Sequence, residues 1–180
     1  MEKITLHQSS LEVVQGDITQ QDTTAIGNAA NSALAGGGGV DGAIHRAAGP
    51  AIMSELQTRY RGCPTGSAVI TGGGKLKAKH VVHAVGPIYS GSPRDAELLA
   101  SAYRKSLELC TQNKIFSIAF PSISTGVYGY PVEEASRVAL KTVMDYLKDH
   151  PDIQLVRFVL FDAITYNIYE KALKELTKSQ

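Results

Sequence analysis

Residues 28–49 read NAANSALAGGGGVDGAIHRAAG, and the rest of the chain is organised around them. Gly36, Gly37, Gly38 and Gly39 stand in a row. Four consecutive glycines cost too much backbone entropy for the interior of a helix or strand. They suit a loop whose backbone must come close to something. An Ala-rich run over 40–48 follows, read as a helix stopped by Gly49-Pro50. A loop that opens a helix offers unpaired N–H groups and the positive end of the dipole to an anion. Asp41 falls in the first helical turn, where the dipole favours its charge by about 0.3–1 kcal/mol. Asn31 lies upstream on the same connection and can both donate and accept hydrogen bonds. On composition alone, a flexible loop before an ordinary helix fits equally well. The glycines match neither common nucleotide loop, because they lack dinucleotide spacing and no Gly-Lys-Ser/Thr follows. Gly72-Gly73-Gly74-Lys75 is followed by Leu76, so it fails as a P-loop too.

Outward from this stretch, short apolar runs over 4–8, 11–15, 24–28, 67–71, 80–85, 117–120 and 155–161 predict strands. Ser9-Ser10 is read as the turn between the first two, and Gly72-Gly73-Gly74 as the turn between 67–71 and 80–85. Helical spacing predicts helices over 40–48, 51–61, 95–112, 132–147 and 166–176. The apolar run 155–161 is of the kind that a sheet covered on both faces demands. Strands alternating with helices argue an α/β fold, a three-layer α/β/α arrangement around a mixed, mostly parallel central sheet. The first two strands add an antiparallel element at one edge. At 180 residues, a single domain over 1–180 is expected.

The formal net charge is +1, and the densest basic cluster, Lys75, Lys77, Lys79 and His80, reads as a solvated turn. Nothing steers the chain to nucleic acid or a membrane. Cys63 and Cys110 make no disulfide framework, and no His/Cys cluster has zinc spacing. The opening residues lack a signal-peptide core, so a cytoplasmic protein is expected.

In open α/β sheets the ligand crevice lies beyond the carboxyl ends of the strands. The unusual loops all fall there. Asp17 follows one strand, residues 28–39 follow the next, and Gly86-Pro87 follows 80–85. Residues 122–130 follow 117–120, and Phe161-Asp162 ends the last strand. In the 124–130 loop, Gly126 and Gly129 allow positive φ, and successive N–H groups there can form an anion nest. An ordinary glycine-containing turn is the simpler reading of that loop.

Asn31, a six-residue gap, and then Gly38-Gly39-Val40-Asp41-Gly42-Ala43-Ile44-His45 resemble the signature of MacroD-type macrodomains. These are ADP-ribose-binding domains, many of which hydrolyse ADP-ribose conjugates. Residues 124–131 resemble that family's second loop, Ser-Thr-Gly-Val-aromatic-Gly-Tyr-Pro, at each position, and Gly16-Asp17-Ile18-Thr19 resembles its adenine-reading segment. Two places depart from the pattern. Gly27 stands where the family usually has a β-branched residue, which should weaken its strand by up to about 1 kcal/mol and remove a side chain from the packing. Residues 163–167 are also less typical.

The resemblance implies roles. Asp17, with Ile18, would read the adenine, although a turn Asp capping its own backbone is common. Phe161 would flank the adenine; a core aromatic at a strand end is the plainer reading. Gly38, Gly39 and Val40 would face Ser124, Gly126 and Val127 across the diphosphate. Asn31 would hold the distal ribose and Tyr128 would cover it, unless Tyr128 is merely a surface aromatic. Asp41 and Asn31 form the expected catalytic pair: Asp41 positions or activates water for attack at the anomeric carbon or an ester carbonyl, or only orients it while the substrate's own phosphate is the base. His45, one turn after Asp41 on the same helical face, suggests an acid–base pair but reads better as a packed, hydrogen-bonded structural residue, and is left out of the catalytic pair. The expected function is removal of mono-ADP-ribose from acidic side chains and deacetylation of O-acetyl-ADP-ribose. No cofactor or metal is expected, and the partners are ADP-ribose and ADP-ribosylated proteins, with the enzyme a monomer. The rival readings are a non-catalytic ADP-ribose-binding module and a ribonuclease-regulating interaction protein.

Overall fold

Every apolar run named above becomes a strand, and all seven join one sheet. The computed structural model describes residues 1–178, so the last two residues of the expected 1–180 domain lie outside the described residues. The strands are β1 (Glu2–Leu6), β2 (Ser9–Gln15), β3 (Ala25–Ala29), β4 (Ala68–Gly72), β5 (His80–Ala84), β6 (Ser117–Phe120) and β7 (Leu155–Leu160). The helices are α1 (Gly39–Ala48), α2 (Ala51–Arg59), α3 (Arg94–Gln112), α4 (Val132–Asp149) and α5 (Ala163–Lys178), with a short 3-10 turn at Ile18–Gln20. The sheet order is β1-β2-β7-β6-β3-β5-β4. The five inner strands run parallel, and β1 and β4 pair antiparallel at the two edges. The antiparallel N-terminal edge expected from the sequence therefore has a counterpart at the far edge.

Alternation along the strands divides the core in two. Ile26 and Val81 pack with Ile44 of α1 and Ile52 and Leu56 of α2 on one face. Leu11, Val82 and Phe158 pack with Leu107 of α3, Leu140 of α4 and Leu173 of α5 on the other. This is the three-layer arrangement, each helix burying one apolar stripe. Among the described residues, no helix is long and apolar enough to cross a membrane.

Three local expectations change. The first turn lies at His7-Gln8, not Ser9-Ser10, with His7 at φ 56°. Ser9 is drawn into β2 because it is buried and its hydroxyl donates to the Ile153 carbonyl at 2.6 Å. α5 starts three residues earlier than predicted, at Ala163, because the Asp162 carboxylate accepts from Thr165 N at 2.8 Å and caps it. Gly27 leaves no hole: a Cβ there would lie 2.6 Å from Phe120 Cδ1, so the Phe120 ring fills the space of the missing side chain. That ring also meets Tyr103 edge-on, with centroids 5.2 Å apart.

Candidate active site

Because β2, β7, β6, β3 and β5 are parallel, their carboxyl ends share one edge of the sheet. Asp17, Phe161, the 121–130 loop, the 30–38 loop and Gly86 therefore follow one another across that edge. Backbone hydrogen bonds tie neighbouring loops together. Gly16 N donates to Leu160 O, Ala30 N to Ala84 O and Tyr89 N to Tyr128 O, each at 2.9 Å. Three strand spacings separate β2 from β3, about 14 Å. Asp17 and Asn31 thus stand at opposite ends of the crevice, with the 121–130 loop between them.

The glycine run ends as the N-cap and first residue of α1, Gly38 and Gly39. Gly39 has φ 57°, a left-handed conformation in which a Cβ is costly. A Cβ on either would meet nothing within 4 Å, so this backbone borders open space. Asn31 closes the loop behind them: its Nδ2 donates to Gly36 O at 2.8 Å, and its Oδ1 accepts from Ala35 N at 3.1 Å. A Cβ built on Gly37 would lie 3.6 Å from Asp41 Oδ2 and 3.9 Å from Asn31 Nδ2. The glycine run thus brings Asn31 and Asp41 to one place. Gly42 allows the fit, since a Cβ there would strike Gly37 O at 2.6 Å.

Asp41 is only 7 % exposed, so its carboxylate needs partners. Both close polar contacts fall on Oδ1: Asn28 Nδ2 donates to it at 2.6 Å, and His45 Nε2 lies 3.3 Å from it. Oδ2 is left facing Gly37. His45 thus lies against the carboxylate, as its place one turn later on the same helical face allows. Behind Asn28 stand His83, with Nδ1 3.1 Å from Asn28 Nδ2, and Thr71, with Oγ1 2.9 Å from His83 Nε2. Burial, reinforced by the nearby His45, pushes the His83 ring down to about 3. Asn28, His83 and Thr71 were not singled out from the sequence. The available signal was the presence of Asn28 and His83 inside otherwise apolar central strands, where they are register partners.

The second loop departs from expectation in one respect. Gly129 has φ 72°, but Gly126 does not adopt positive φ; Ser124 does, at 70°. The tight turn therefore falls on Ser124, a costly conformation for a residue with a Cβ. At Gly126 a Cβ would meet nothing within 4 Å, so the protein's own packing does not demand glycine there. Gly86 admits the turn, because a Cβ on it would strike Ser124 Oγ and lie 2.6 Å from Ile123 Cγ2. Ser124 Oγ is itself buried with no hydrogen-bond partner. Val127 is fully exposed, Val40 is half-buried, and Tyr128 is half-buried with its carbonyl held by Tyr89.

At the other end, Asp17 caps the 3-10 turn, its Oδ1 accepting from Thr19 N at 2.9 Å and Thr19 Oγ1 at 2.7 Å. The capping role expected of a turn Asp is real, and both bonds use one oxygen. Ile18 is buried with its side chain in the α1–α2 core, so only its backbone can face a ligand. Phe161 is 81 % exposed, which rules out the core-aromatic reading.

The macro domain family model matches residues 27–139. A macro domain-containing protein of Caldanaerobacter subterraneus subsp. tengcongensis is 56 % identical over 172 residues, covering 93 % of this chain and 98 % of that protein. An O-acetyl-ADP-ribose deacetylase of Salmonella typhimurium is 52 % identical over 171 residues, covering 93 % and 96 %. Among solved structures, the Oceanobacillus iheyensis macrodomain with ADP superposes with a TM-score of 0.94 at 46 % identity, covering 99 % of this chain and 97 % of the other. The matched segment holds both glycine loops and Asp41, and the strand order that gathers them is the one described above; the chain belongs to the macro domain family.

Proposed function

We propose that this protein binds ADP-ribose in the crevice at the carboxyl edge of the sheet and hydrolyses its ester conjugates. The substrates are O-acetyl-ADP-ribose and mono-ADP-ribose attached to acidic side chains. The observation that carries the reading is the carboxylate of Asp41, buried at the start of α1, with Oδ2 directed at a glycine loop bordering open space. A relative 52 % identical over most of its length is named O-acetyl-ADP-ribose deacetylase, which supports the same chemistry.

In this reading the diphosphate lies between Gly38-Gly39-Val40 and Ser124-Gly126-Val127, met by backbone N–H groups and the α1 dipole. Charge-assisted bonds of this kind contribute about 1.5–3 kcal/mol each. Asp17 and the Ile18 backbone read the adenine, with Phe161 against its face. Asn31 and Tyr128 hold the distal ribose. Asp41 Oδ2 orients a water and takes its proton as the water oxygen attacks the ester carbonyl. The ester C–O bond breaks, the proton passes to the departing ribose oxygen, and acetic acid or the side-chain carboxyl group leaves carrying water's other proton, which it gives up to solvent as it ionises. The proposed enzyme is a single-domain, monomeric, cytoplasmic protein that needs no divalent metal.

The test is turnover of O-acetyl-ADP-ribose and of a mono-ADP-ribosylated protein by the wild type and Asp41→Ala, each with and without EDTA. Asp41→Ala should lose most turnover while ADP-ribose affinity stays within about tenfold, or roughly 1.4 kcal/mol. Full activity in that variant refutes the assignment. Loss of wild-type activity with EDTA, restored by Mg²⁺, refutes the metal-free mechanism. Binding without turnover of either substrate would make the protein an ADP-ribose-binding module.

A further inference from the structure

Behind Asp41 runs a chain of hydrogen bonds whose direction is set from its far end. The Thr71 hydroxyl donates to Gly72 O at 2.9 Å. A hydroxyl has one proton, so toward His83 Nε2, 2.9 Å away, it can only accept. His83 therefore carries its proton on Nε2 and offers a lone pair at Nδ1. That lone pair accepts one hydrogen of the Asn28 amide at 3.1 Å. The second hydrogen of the same amide goes to Asp41 Oδ1 at 2.6 Å. Asn28 and His83 are fully buried, and Thr71 is 1 % exposed. With its value pushed down to about 3, the His83 ring is neutral at physiological pH, as a lone pair at Nδ1 requires. The alternative tautomer would force the amide over and set the Asn28 carbonyl oxygen against the carboxylate.

We propose that Thr71, His83 and Asn28 are positioning residues that lock the Asp41 carboxylate in one orientation, holding Oδ1 from the interior and leaving Oδ2 for substrate. The proposal rests on the reading of Asp41 as the catalytic carboxylate. The three come from β4, β5 and β3, so the carboxylate is aimed by the rigid sheet rather than by the loops around it. A merely structural network, when broken, would lower stability and leave kcat of the folded enzyme unchanged.

The first measurement uses the wild-type protein: ¹⁵N–¹H correlation spectra of the histidine rings from about pH 8 to about pH 5. His83 should appear throughout as the neutral Nε2–H tautomer. An Nδ1–H tautomer, or a ring that gains a second proton in that range, overturns the proposal. The second uses O-acetyl-ADP-ribose turnover and ADP-ribose calorimetry. Asn28→Ala should lower kcat about tenfold or more with ADP-ribose Kd within about threefold. Thr71→Val should lower kcat by about threefold or more and shift His83 toward Nδ1–H, and Thr71→Ser should restore both. Wild-type kcat in Asn28→Ala and Thr71→Val, or a loss confined to Kd, overturns the proposal. Asp41→Asn is run beside them. Active Asp41→Asn refutes the catalytic reading itself, whereas inactive Asp41→Asn with fully active Asn28→Ala refutes the positioning chain alone. Should Asn28→Ala fail to fold, the wild-type ring spectrum and the Thr71 pair decide.

Discussion

Acid should destabilise this protein through one buried ring well before its carboxylates matter. The perturbation is a change from about pH 7 to about pH 5, applied to the wild type and to His83→Gln. In the folded chain His83 is held at about 3, against 6.5 for an unhindered ring. Between these values the unfolded state binds the extra proton and the folded state does not. Stability from this group is therefore fully present above about 6.5, falls as the pH drops, and levels off below about 3. Linkage puts the loss at about 2 kcal/mol by pH 5 and only about 0.2 kcal/mol at pH 7. Asp95 and Asp162 are lowered by backbone N–H donors, but such carboxylates begin to contribute only below about pH 5. The assay is urea unfolding at several pH values. His83→Gln should be less stable at pH 7 by a fixed amount, since it disturbs the Asn28 and Thr71 bonds. The gap between the two proteins should then narrow by about 2 kcal/mol toward pH 5. Parallel stability curves would show that His83 is not held neutral, and would refute the reasoning.

Asp17→Ala should weaken ADP-ribose binding and relax adenine selectivity without changing the chemistry of bound substrate; unchanged affinity by calorimetry would leave Asp17 with its turn-capping role alone. Gly126→Val should fold with stability within about 0.5 kcal/mol of wild type, because its side chain meets open space and its φ is not positive. It should nonetheless lose ADP-ribose affinity, and normal binding would show that this loop is not the phosphate clamp. Gly27→Val should cost about 1–3 kcal/mol by driving a side chain into Phe120. Adding Phe120→Leu should recover part of that loss in a double-mutant cycle, and strictly additive urea-melt values would refute the contact.

Much of the site was legible because its signals are local. Four adjacent glycines, an Asp in a first helical turn and an Asp after a strand each follow from spacing and turn chemistry within a few residues. The same holds for the strands, whose apolar runs ended up in one sheet with boundaries shifted by at most a few positions. Those shifts came from partners far along the chain, as where Ser9 enters β2 to bond Ile153.

What the sequence by itself determined was the set of elements, the α/β class and the placing of Asn31, Asp41, Asp17 and the two glycine loops at strand ends. Only the tertiary structure decided that β6 lies between β7 and β3, setting the second loop midway between Asp17 and Asn31. It alone placed the turn of that loop on Ser124 rather than Gly126, and filled the space at Gly27 with Phe120. It alone joined Asp41 to Asn28, 13 residues away, and Asn28 to His83, 55 residues further. The reason is physical: helix and strand periods and turn preferences are encoded in neighbouring residues. Strand order and the pairing of buried polar groups depend on which distant segments share a sheet, and a buried carboxylate takes whatever donors that packing supplies.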